Sequence, residues 1–112
     1  MDVWVSVNPV ADSRERFVFS DPGELRRLLA FAKKLRAKAG VTRLILSFDD
    51  QPVELSEFAD VVTYGRSAAP AHLDLARRLA AGLPAGMSLW LCSAAYCDAH
   101  LGDATGPYAK AL

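Results

Sequence analysis

A chain of 112 residues is the length of one ordinary domain, and an apolar share of 52% is enough for a core without disulfide or metal support. Its 13 basic and 13 acidic residues cancel to a formal charge of zero, with an isoelectric point near 6.7. That balance excludes a global field able to gather nucleic acid or an anionic membrane, so an electrostatic partner has to be met by a local patch.

The longest apolar runs fall far below membrane-spanning length, and no membrane association is expected. Met1 is followed by Asp2 and a short strand-like run, so a signal peptide is not expected. Two cysteines without a secretory signal point to free thiols and a cytoplasmic location.

Val3, Val5 and Val7 alternate with Trp4 and Ser6, the period of a strand with one covered face. Arg16 to Phe19 reads as a second short strand, able to pair with the first as a hairpin. Asp21-Pro22-Gly23-Glu24 is a helix start, with Asp at the cap, Pro at the first helical position and Glu placed to reach back. Leu25, Leu28, Leu29, Ala32, Leu35 and Ala39 then recur at helical spacing until Gly40. Arg26, Arg27, Lys33, Lys34 and Lys38 fall together on the opposite side, giving this helix a basic outer face.

Thr42 to Asp50 carries the clearest buried strand, since Leu44, Ile45, Leu46 and Phe48 form an apolar run too short for a helix. Asp49 and Asp50 end it. The segment Asp49 to Asp60 holds Asp49, Asp50, Glu54, Glu57 and Asp60 and no basic residue. Within it a short helix is expected from about Val53 to Ala59, with Leu55, Phe58 and Ala59 inward, followed by a strand over Val61 to Tyr64. Pro70 opens a further helix bearing Leu73, Ala76, Leu79, Ala80 and Leu83 on one face and Asp74 and Arg78 four apart on another. Met87 to Cys92 is the last strand, and Ser93 is placed to cap a short helix over Ala94 to Leu101. Residues 103–112 form a tail that packs through Tyr108 or stays mobile. The expected fold is a single α/β domain, with a mixed, mostly parallel sheet of four to five strands and helices packed against it. The alternative is a two-layer α+β sandwich with helices on one face only.

Ligands of open α/β sheets lie outside the carboxyl ends of the strands, which selects Asn8, Asp49 with Asp50, and Cys92 with Ser93. Cys92, at a strand end before a helix, is a candidate nucleophile, set against the common fate of a free cysteine as core filling. A cysteine after a late strand in a small α/β chain resembles the DsrE-type sulfur-relay proteins. The likeness covers only the few residues around Cys92, and no function is carried over from it.

Cys97 and His100 share a helix face and, with Cys92, offer three soft ligands in a spacing that matches no standard zinc motif. No metal is assigned. Asp49 and Asp50 suit a hard cation such as magnesium, or simply a solvated strand exit. His72 lies on the apolar side of its helix, where a structural histidine serves as well as a catalytic one. No G-x-S-x-G, P-loop or G-x-G-x-x-G pattern occurs, so no cofactor is expected.

The segregation of charge between the basic helix face and the acidic segment points to a non-catalytic module for a protein partner or for self-association. Thiol chemistry at Cys92 and a metal-dependent enzyme using Asp49 and Asp50 are the alternatives. Nucleic acid is not expected, because the basic face lacks interleaved aromatics.

Overall fold

The computed structural model describes residues 2–11, 16–48 and 54–92. Its elements run β1 (Trp4–Val7), α1 (Pro22–Ala39), β2 (Arg43–Ser47), α2 (Phe58–Tyr64), α3 (Ala68–Gly82) and β3 (Ser88–Cys92). The strands form a parallel sheet in the order β1-β2-β3, with Val5 opposite Leu44 and Leu44 opposite Leu89. Three strands, where four to five were expected, form among the described residues.

A straight strand order with right-handed crossovers carries every connection over the same side of the sheet. Accordingly α1 packs against α3, and α3 against β3. Leu44 and Leu46 of β2, Ala32 of α1 and Leu79 of α3 are fully buried in the resulting core. The described helices lie on one side of the sheet, and the sheet is parallel, without the antiparallel hairpin of the α+β alternative among the described residues. No described helix is long and apolar enough to cross a membrane.

Helix α1 begins and ends where its residues dictate. Asp21 accepts the Gly23 amide at 2.9 Å, Pro22 takes the first turn, and Gly40 closes the helix at φ 64°, a left-handed conformation that a side chain would strain. Glu24 does not reach back to the cap; it is buried and pairs with Arg27. Gly82 has a different task, since a β-carbon there would lie 2.8 Å from Leu29 of α1, and its absence lets the two helices approach.

Two expected strands are absent for identifiable reasons. Val61 to Tyr64 belongs to α2, because Asp60, Val61 and Tyr64 turn inward at helical spacing while Val62 and Thr63 face solvent. That inward set outweighs the local β-propensity of Val-Val-Thr-Tyr. Helix α2 starts at Phe58, later than expected, and leaves Phe58 81% exposed rather than inward.

Arg16 to Phe19 pairs with no strand, since β2 occupies the place beside β1. The amide of Phe19 and that of Ser20 beyond it bond to a side chain instead: Asp60 Oδ2 accepts Phe19 N–H at 2.9 Å and Oδ1 accepts Ser20 N–H at 2.8 Å. Both carboxylate oxygens are thereby occupied, and Asp60 is only 1% exposed. Phe17 and Phe19 meet edge to face at 4.9 Å and enter the core. Tyr64 ties α2 to α3 by donating its hydroxyl proton to Asp74 Oδ2 at 2.6 Å, where Arg78 also binds. Burial, reinforced by Asp74, pushes the Tyr64 phenol up to about 12.

Candidate functional site

The residues selected from the sequence do not converge. Arg26, Arg27, Lys33, Lys34 and Lys38 lie exposed on the outer face of α1, with Arg27 committed to Glu24. Asp49 and Asp50 lie outside the described residues, as do Ser93, Cys97, His100, the expected helix over Ala94 to Leu101 and the tail. Of the acidic segment's described members, Glu57 pairs with Arg16 at 3.3 Å and Asp60 holds two amides, which leaves Glu54 at the surface.

A cleft of about 190 Å³ brings Glu54, Glu57, Asp60 and His72 together with Phe17 and Phe19. It is a seam of the fold more than a reaction centre. His72 is 2% exposed and lies flat on Phe48, ring centres 3.8 Å apart and planes within 4°. Removal from water pushes its imidazole down to about 4, so it is neutral over the usual range. No group of three His, Cys, Asp or Glu among the described residues is arranged to hold a metal ion.

Cys92 ends β3 with its thiol exposed, opposite Ser47 of β2. Its carbonyl accepts the Phe48 amide at 3.2 Å, which extends the ladder one residue past the strands.

The structure draws attention instead to the sheet face opposite the helices. Alternation sends Val5, Val7, Leu44, Leu46, Leu89 and Leu91 toward the core and leaves Trp4, Ser6, Arg43, Ile45, Ser47, Ser88, Trp90 and Cys92 on the other side, where Ser47 is buried and both tryptophans are not. Register then builds a local cluster. Trp4 lies opposite Arg43, and Arg43 opposite Ser88, one residue pair away from Trp90.

The two indole centres stand 5.6 Å apart, and the Arg43 guanidinium carbon lies over both, 4.4 Å from the Trp4 ring and 4.0 Å from the Trp90 ring. Such cation–π contacts at a surface each contribute about 0.5–1 kcal/mol, and they hold a flexible arginine in one place. Trp4 remains 52% exposed and Trp90 51% exposed. Parallel sheets are normally covered on both faces, so a half-open face built of two tryptophans is unusual on physical grounds.

No protein-family model, curated protein or solved structure matches this chain.

The likeness around Cys92 is accordingly without a matching family, and function has to be read from geometry. Trp4, Arg43 and Trp90 were absent from the residues chosen on sequence. The signal lay in the two outer strands, where Trp4 and Ser6 in β1 and Ser88 and Trp90 in β3 alternate with apolar residues and mark a face that the described helices do not cover.

Proposed function

We propose that this protein is a non-catalytic association domain whose contact surface is the sheet face carrying Trp4, Arg43 and Trp90. One observation carries the reading: two half-exposed indoles that share one guanidinium on a sheet face where Ile45 lies beside serines. Rigid tryptophan and arginine side chains are the residue types that concentrate binding energy at protein interfaces, because they bury much area while losing little conformational freedom.

A second reading places association on the basic face of α1, favoured by five exposed cations of which only Arg27 has a described acidic partner. Thiol chemistry at Cys92 stands behind both. Its exposure at the end of β3 supports it. Metal-assisted chemistry at Asp49 and Asp50 rests on the sequence alone.

Photo-crosslinking in the native host separates the two surfaces. With p-benzoylphenylalanine at position 6, exposed on the same face but not one of its anchors, a discrete adduct is expected; at position 34, on the basic helix face, none is expected. Adducts at 34 alone would move the function to α1, and their absence at both positions would remove the association reading.

A further inference from the structure

Resting on the association reading above, we infer that the occupant of the open sheet face is an acidic segment of a partner protein, one carboxylate seated on Arg43 and apolar side chains on the indoles. Arg43 lacks an acidic partner among the described residues. Its Nε reaches Ser88 Oγ at 3.4 Å, and its charge faces two rings, yet it forms no ion pair among the described residues. The terminal guanidinium nitrogens therefore present a fork of N–H donors without a described acceptor.

A guanidinium fork matches a carboxylate in geometry and charge, and the pair is stronger when flanking groups exclude water. Trp4 and Trp90 supply those flanks. Ile45, between them on the central strand, extends the apolar floor. The face thus fits a side chain that is acidic at one point and apolar to either side.

Other occupants fit less well. A second copy related by a two-fold axis would bring one Arg43 toward another, with no anion among the described strand residues of this face to separate them. A nucleic acid strand needs a track of cations, and here Arg43 stands alone, since the basic stripe of α1 lies on the far side of the sheet.

The full-length chain, its R43Q and R43K variants and a Trp4→Ser/Trp90→Ser double variant are panned against random peptides roughly a dozen residues long, each variant's folded fraction being verified by its unfolding curve. Peptides selected by the natural chain are expected to carry Asp or Glu beside aromatic or branched residues. They should bind about tenfold more tightly than their Asn or Gln twins, the advantage of a charge-assisted pair over a neutral one. R43Q should erase that preference. R43K should lose most of it, because an ammonium keeps the charge and loses the fork. The double variant should lose both peptides of each pair.

Equal binding of acid and amide twins would overturn the carboxylate assignment while the association surface stands. Selection indifferent to both tryptophans would overturn the surface as well. Tighter binding of an oligothymidylate of about ten nucleotides, or a dimer that occludes the face in sedimentation, would replace the acidic partner with nucleic acid or a second copy.

Discussion

Replacing Phe48 with alanine is expected to cost about 3–5 kcal/mol of folding stability, the range for emptying a large buried aromatic site. Phe48 is fully buried at the end of β2, stacked on His72 and 5.8 Å from the Phe19 ring, so it joins the sheet to α3 and to the segment before α1. Neither neighbour can collapse into the gap alone, because His72 is fixed on α3 and Phe19 by the bond from its amide to Asp60. Against a total stability of about 5–15 kcal/mol, the loss is large. Phe48→Leu, which keeps most of the volume, should cost roughly 1–2 kcal/mol. Urea unfolding checks both, with an unchanged slope showing that the denatured state is the same. A loss below about 1 kcal/mol for the alanine variant would mean that Phe48 is not the junction described.

Acid should weaken the protein through His72. Burial lowers the His72 pKa from 6.5 to about 4, so between those values the unfolded chain binds a proton that the folded chain refuses. The stability contributed by the neutral imidazole is complete above about pH 6.5, falls as pH drops through that window, and is gone near pH 4. Integrated over the window, the loss approaches about 3 kcal/mol. Glu57 and Asp60 line the same cleft and are carboxylates, so the histidine contribution has to be isolated by difference. His72→Gln should be less stable than the natural chain at neutral pH and should flatten the pH dependence between 6.5 and 4. Parallel stability curves for the two proteins across that range would show that His72 is not the acid-sensitive group.

Local chemistry made parts of this fold legible. Asp21, Pro22 and Gly40 mark the ends of α1 because capping and left-handed closure act within a few residues. β2 and β3 were legible for a similar reason, being short apolar runs between breakers. Val61 to Tyr64 was not, since its β-branched residues favour a strand locally while the inward placement of Asp60 and Tyr64 is decided by partners 41 and 10 residues away. Arg16 to Phe19 misled for the same reason: its alternation is real, but the Phe19 amide bonds to a distant carboxylate rather than to a strand.

The candidate site was the least legible part. Trp4, Arg43 and Trp90 come from three separate strands, and only parallel register sets them side by side. Reading Leu44, Ile45 and Leu46 as buried throughout concealed the fact that Ile45 sits among exposed aromatics. The basic stripe of α1, visible in sequence, is present on the surface but lacks the apolar anchors that the sheet face provides.

Trp4 and Trp90 are the only tryptophans in the chain, so emission excited at the red edge, where the three tyrosines do not absorb, reports on this face. The most direct measurement is acrylamide quenching of that emission in the isolated protein at low concentration. Rings left half open by the fold should emit toward the red and quench readily, and a bound acidic peptide should protect them. Blue-shifted emission that resists acrylamide in the free protein would mean the face is already covered, and the association surface described here would not exist.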